Sequence, residues 1–534
     1  MKNTCLNIKF LIVKAFSFEK HLASWKDDLS RLFVLVLICG FAISLLYFVL
    51  SNVFFYPVSG AYGGREVFLL PRYYLQQNDL TSGVFHEWGR LVFFGGVIGA
   101  SFWFAIKFLE RPKLPLKYFI VGLYFTAIVV ELSFVGLTYN GFSHIRLQAK
   151  SINNGIWYSL NYLSTLPQFS GVSLLEKLRY TFTVLGGNNS GYTIPGTTHP
   201  PGIFVLFYPL FKFVSLFKSP ALVWGLVMML LNTLLLPVIA LMARRVMSER
   251  NARLSSIMLL VTPSLVMHFC SMLDVSASFV TAVGYLALLL CLWEIGRDGA
   301  NARVWPLGLL TGLAFTLAAQ ITYGHAIPIL AALVAFYYVS RNMVFCRKTF
   351  YLTLFIAPVL YFAAESWFSG GTSFYPVRAW KIAQLVKSGL NSRPYPLSQF
   401  ANLTIMAVMG GFLYLPAMIN SVVFAVRVAL GRRNLELVPQ VSSRFNGRLF
   451  LSITAICISL FLVMQSTVRL EVERTWHWAF IPGWTLGGIC LISAATSAGR
   501  LFRKPRSVAF SIRFLGWTQL FITLALAISI QDYY

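Results

Sequence analysis

The sequence predicts an all-α protein that crosses a membrane about 13 times. Three observations predict it. Of the 534 residues 57% are hydrophobic and only 12% are charged, and the mean hydropathy of +0.69 lies well above the balance of a soluble domain. The apolar residues arrive in runs of about 17–25, the length that spans a hydrocarbon core as a helix. The basic residues, which give a net charge of +26, fall in short clusters between those runs. They therefore read as anchors of cytoplasmic loops and not as one continuous surface for nucleic acid.

Along the chain, the first 31 residues carry Lys2, Lys9, Lys14, Lys20, Lys26 and Arg31 ahead of an apolar run at 32–55. That run is too long for a signal-peptide core and lacks a small-residue cleavage site, which predicts an uncleaved first span. Further spans are expected at 91–109, 118–138, 220–243, 254–272, 275–294, 304–322, 326–340, 349–367, 401–428, 449–466, 479–497 and 511–530. The cation clusters thread them, because Lys and Arg collect on the cytoplasmic side. Arg111/Lys113/Lys117, Arg244/Arg245/Arg250/Arg253, Arg297/Arg303, Arg341/Arg347/Lys348, Arg432/Arg433/Arg444/Arg448 and Arg500/Arg503/Lys504/Arg506/Arg513 all fall inside if the N-terminus is cytoplasmic. The C-terminus is then extracytoplasmic. The parity holds only if the apolar piece 203–217 does not cross, so an interfacial helix is expected there.

The outward segments are then 56–90, 139–219, a turn around Asp274, the turn Tyr323-Gly324-His325, 368–400 and 467–478. The loop 139–219 is by far the longest. It holds Asn153, Asn154, Trp157, Tyr158, Asn161 and Tyr162, then Gly186-Gly187-Asn188-Asn189-Ser190-Gly191, and closes on Thr198-His199-Pro200-Pro201-Gly202. A loop of this length has work to do or is disordered, and its aromatic content argues for work. The seven cysteines show neither a disulfide framework nor metal-ligand spacing.

The residues that could carry chemistry stand out against this apolar background. Only 18 residues are Asp or Glu, and a carboxylate inside a span costs about 2.5–3.5 kcal/mol on insertion scales. Asp274 sits at an outward turn, where it can act on a substrate or cap the following helix. Glu131 lies about two turns below the outer end of its span, and Glu365 at the outer end of another; each could instead bond to a neighbouring helix. The segment 469–478 packs Arg469, Glu471, Glu473, Arg474, Trp476, His477 and Trp478 into one short outer loop. Arg can take a phosphate bidentately and an aromatic face can carry a sugar ring, although an aromatic-belt turn would also explain the Trp residues. In 368–400, Arg378, Lys381, Lys387 and Arg393 oppose the positive-inside tendency, which calls for an anionic ligand or anionic headgroups. His199 is presented from a turn stiffened by two prolines. Prolines also open helices for purely local reasons.

Taken together, these placements resemble the GT-C superfamily of membrane glycosyltransferases, in particular the group with protein O-mannosyltransferases and aminoarabinose transferases. There a long first outer loop ends in His-Pro-Pro or Lys-Pro-Pro, matched by His199-Pro200-Pro201, and a short second outer loop carries an acid, matched by Asp274. The stretch Glu471, Glu473, Arg474, Trp476 is similar to a motif of related bacterial membrane proteins. One departure stands against the pattern. The superfamily places an Asp just after the span that opens the long loop, whereas this chain reads Leu137-Thr138-Tyr139-Asn140-Gly141.

The resemblance implies transfer of a sugar from a polyprenyl-phosphate donor to a glycan, lipid or protein acceptor at the outer face of a bacterial inner membrane. It makes Asp274 the base or the group that positions the acceptor, with Glu131 as its competitor, Arg378 and Arg474 the phosphate holders, and His199, Glu473 and Trp476 the walls of the site. Some members use a divalent metal ion, for which this sequence shows no ligand cluster. The implied organisation is 1–116 as an N-terminal segment with two added spans, 117–400 as the GT-C-like core and 401–534 as C-terminal spans. A polysaccharide polymerase or ligase, a transporter or flippase of lipid-linked glycans, and a non-catalytic assembly subunit are the competing readings.

Overall fold

The computed structural model describes residues 57–62, 65–68, 83–111, 113–137, 142–150, 161, 176, 202–268, 273–298, 303–341, 347–368, 410–411, 414–430, 443–464, 479–489 and 515–524. One antiparallel hairpin, β1 (Pro57–Tyr62) with β2 (Arg65–Phe68), pairs Pro57 with Phe68 and Val58 with Val67. The all-α expectation left this hairpin out, although Gly63-Gly64 between two short runs is a hairpin turn signal.

The other described elements are helical. In order they are α1 (Gly83–Phe104), which runs on through a π turn (Ala105–Leu109), α2 (Leu116–Leu137), α3 (Ser143–Ala149), α4 (Gly202–Val214), α5 (Pro220–Thr233), α6 (Leu235–Val246), α7 (Glu249–Leu259) and α8 (Pro263–His268). Then come α9 (Leu273–Asp298), α10 (Val304–Ile321), a 3₁₀ turn (Tyr323–His325), α11 (Ala326–Ser340), α12 (Arg347–Phe368), α13 (Tyr414–Leu430) and α14 (Ser443–Met464). Residues 479–489 form α15 and Leu515–Leu524 form α16. Among the described residues six stretches are long and apolar enough to cross a membrane: Gly89–Leu109, Leu116–Leu137, Pro220–Val246, Asp274–Ile295, Val304–Ile321 and Arg444–Phe461. The chain is an integral membrane protein. The expected span 32–55 lies outside the described residues.

Residue pairs at matching heights fix the helix directions. Asn232 meets Ser276 and Arg245 lies over Trp293, so α5–α6 and α9 run the same way. Tyr285 meets Phe450 and Leu289 meets Gly447, so α14 opposes α9. Met258 and Val261 meet Gln519 and Thr523, so α7 and α16 are parallel, while Ser255–Trp484 and Asn251–Gly488 make α15 antiparallel to α7. These are the directions that the cation clusters require. The clusters also meet at one end: Arg250 lies 3.7 Å from Glu110, Arg244 3.6 Å from Glu249 and Arg303 3.4 Å from Glu294.

Close helix approach is built from small residues, as expected where lipid supplies no hydrophobic drive between helices. On α10, Gly308 and Gly312 stand one turn apart against α12. A Cβ at Gly312 would lie 2.0 Å from Leu354 O, and one at Gly308 2.7 Å from Phe350 O. Both helices run in the same direction through this contact.

Two expectations are corrected. The stretch 254–272 is not one continuous helix, because the first helix ends at Leu259, turns through Leu260–Thr262 and restarts as α8. Pro263 has no N–H, and its ring excludes the turn before it. Thr262 O then starts the new helix by accepting from Leu265 N and Val266 N, each at 3.1 Å. The second correction concerns Arg253, expected as a loop anchor. Its side chain is 1% exposed and donates from Nη1 to Arg111 O (2.6 Å) and Leu109 O (3.5 Å) and from Nη2 to Leu114 O (2.5 Å) and Glu249 Oε1 (2.5 Å). The guanidinium also lies 5.1 Å above the Phe119 ring. Instead of facing water, Arg253 ties the α1–α2 connection to α7.

Candidate functional site

The end of the bundle opposite the cation clusters gathers the described helices of the long loop. The apolar piece 203–217 forms α4, a helix of 13 residues. At 1.5 Å per residue it reaches about 20 Å, short of the roughly 30 Å of a hydrocarbon core. Its Phe211 and Val214 pack with Ala149 of α3, Ala221, Trp224 and Met228 of α5, Ala277 of α9 and Ile321 of α10 in one buried cluster. At this same end the last turn of α2 is held by Arg90, which donates to Gly136 O from Nη2 (2.5 Å) and Nε (3.1 Å). A cation at this end thus serves a helix C-terminus, where carbonyls lack helical partners.

Asp274 stands in the first turn of α9, half-buried, three residues before Ala277 of that cluster. A carboxylate there complements the helix dipole, the local role open to it from sequence. Its carbonyl accepts from Ser278 Oγ at 2.7 Å. Positions 278, 281 and 285 follow on the same helical face, since 4, 7 and 11 residues all come back close to whole turns. Thr281 Oγ1 lies 2.6 Å from His325 Nδ1, and Tyr285 OH donates to Pro328 O at 3.0 Å. The fully buried His325 therefore fastens the 3₁₀ turn to the Asp274 face of α9.

Glu131 belongs to a different face. Ser276, about 200° round α9 from Asp274, donates to Asn232 Oδ1 at 2.6 Å. The neighbouring Thr233 donates to Glu131 Oε2 at 2.6 Å, and its hydroxyl also lies 2.7 Å from Met229 O. Glu131 is 3% exposed. It cross-links α2 to α5 beside the Asn232–Ser276 bond, on the side of α9 turned away from Asp274.

His199, Arg378, Glu473, Arg474 and Trp476 lie outside the described residues, as do 369–400 and 465–478. Glu365 lies in the last turn of α12. Among the described residues no group of three or more His, Cys, Asp or Glu could hold a metal ion.

No family model and no curated protein matches this chain. Among solved structures, the chain is similar to ArnT from Cupriavidus metallidurans in the apo state. That likeness has a TM-score of 0.37 and 15% identity, over 62% of this chain and 67% of that one.

Two polar pairs at this end escape a reading by sequence alone. The turn holding His325 is recognisable as outward-facing, and the 274–278–281 spacing marks a polar stripe on one helix face. What joins them is a contact between residues 44 apart. Asn232 and Ser276 are likewise 44 apart, and each sits in an otherwise apolar run that gives no hint of its partner.

Proposed function

We propose that this protein is a membrane glycosyltransferase that moves a sugar from a polyprenyl-phosphate donor to an acceptor hydroxyl at the outer membrane face. The observation that carries the reading is the placement of Asp274: half-buried, in the first turn of α9, at the end where α3 and α4 of the long loop pack. A lipid-linked donor suits such a boundary, with its isoprenoid left in the bilayer. In the proposed step the Asp274 carboxylate takes the acceptor's O–H proton while the acceptor oxygen bonds to the anomeric carbon. The bond from that carbon to the phosphate oxygen breaks, and the polyprenyl phosphate leaves with the electron pair. Arg474 and Arg378 hold the departing phosphate, and His199, Glu473 and Trp476 shape the pocket. Glu131, committed to Thr233 within the bundle, is a structural acid in this scheme.

Asp274→Asn and Arg474→Ala should each abolish incorporation of label from a polyprenyl-phosphate sugar into membrane acceptors, at unchanged protein level. Full incorporation by both variants would overturn the site.

One observation favours the second reading, a transporter of lipid-linked glycans: the helix break between α7 and α8, a feature of transporter binding sites. Thr262, Gln519 and Thr523 at this break are at most 2% exposed. A break closed by protein on this scale supports a fixed bend over a passage.

A further inference from the structure

The bend at Leu260–Thr262 breaks the regular helical ladder inside the bundle: Met258 O keeps only long bonds, from Val261 N and Thr262 Oγ1 at 3.4 Å each, and α16 adds shorter ones. Gln519 Nε2 donates to Met258 O, at the end of α7, and to Thr262 Oγ1, at the start of α8, both at 3.1 Å. One amide therefore bridges the two sides of the bend. Thr523 Oγ1 donates to Val261 O at 2.6 Å and lies 2.8 Å from Gln519 O. Below this clamp, Trp517 packs edge-on against Phe102 at 5.5 Å, which seats α16 between α1 and α7.

We propose that α16 is a clamp that fixes the direction of α8 and, through it, the position of Asp274, with Gln519 and Thr523 as positioning residues. Pro263 bars the chain from straightening into one helix, so the Val261 carbonyl takes its donor from α16 and the Met258 carbonyl adds one to its two long local bonds. Without α16 those donors are water or altered turns, and either one re-aims α8. Leu265 and Val266 of α8 and Val275, next to Asp274, belong to one buried cluster, so a re-aimed α8 disturbs the packing under the turn that carries Asp274. The functional meaning of that movement rests on the glycosyltransferase reading; the movement itself does not.

The test reads position without substrate. In the full-length protein in detergent, with the seven native cysteines replaced by serine or alanine, Asp274→Cys is labelled with a small maleimide and the rate is compared in Gln519→Met and Thr523→Val backgrounds. Both replacements keep volume and remove the donor. The labelling rate should rise about fivefold for each bond lost, return to the parent value with Thr523→Ser, and stay constant at Ser143→Cys on α3. An unchanged or lower rate at position 274 overturns the proposal, as does an equal rise at position 143, which would mean general loosening. Activity retained by Asp274→Asn would remove the enzymatic reading and leave the clamp standing.

Discussion

Replacing Arg253 is the sharpest test of how the end of this bundle that carries the cation clusters is held. Its guanidinium makes two short bonds to the carbonyls of Arg111 and Leu114, at 2.6 and 2.5 Å. A hydrogen bond to a charged group contributes about 1.5–3 kcal/mol. The bond to Glu249 adds little, because that carboxylate is 40% exposed and water replaces the partner. Stacking over Phe119 adds about 1 kcal/mol or more where it is desolvated. Arg253→Ala should therefore weaken the α1–α2 connection by about 3–5 kcal/mol, in the range for breaking one side of a buried charged contact. Arg253→Lys should recover about half, since an ammonium cannot fork between two carbonyls as a planar guanidinium does. The assay is limited trypsin digestion of the detergent-solubilised protein, followed at the Lys113–Leu114 bond, since Pro112 makes the bond after Arg111 resistant. At about 1.4 kcal/mol per factor of ten, cleavage in Arg253→Ala should speed up at least about a hundredfold. A change below tenfold, with Lys as poor as Ala, would refute the reasoning.

Gly312→Ala places a methyl carbon on Leu354 O, where only main chain can yield; an overpacking penalty of about 1–3 kcal/mol should appear as a lower melting temperature, while Ala318→Gly on the same helix produces no such clash. Thr233→Val removes the hydroxyl that serves Glu131 and should destabilise by about 1–3 kcal/mol. Glu131→Gln keeps an acceptor for Thr233, and should retain both stability and transfer activity. Loss of activity in Glu131→Gln, with Asp274→Asn active, would reverse the assignment of the two acids.

The helix directions were legible in the sequence because sidedness is written in charge. Arg245 beside Trp293 and Arg250 beside Glu110 join clusters that the sequence shows only as separate islands. The bend at Thr262-Pro263 was legible in principle, but an average over a long apolar run hides one proline. Arg253 was not, since its partners are backbone carbonyls, which every residue possesses and no sequence pattern marks. The candidate site is legible in part. Asp274 falls in the first turn of a helix, the helix-start role open to it from sequence, and the contact that secures the neighbouring turn, His325 with Thr281, depends on two helices meeting. The partner of Glu131 lies 102 residues away, so its role as a cross-link belongs to the tertiary fold.

The clamp at the bend also orders events during biosynthesis. Met258 and its donor Gln519 are 261 residues apart, which at bacterial-type elongation of about 5–20 residues per second is a wait of roughly 13–50 s. Throughout that interval the bend is already made and its carbonyls await the helix that will satisfy them. The insertion machinery, ordered water or a chaperoning lipid environment must shelter that turn until α16 is delivered. Chains terminated before Gln519 and freed from the ribosome should therefore stay crosslinkable to the insertion machinery, and full-length chains should leave it.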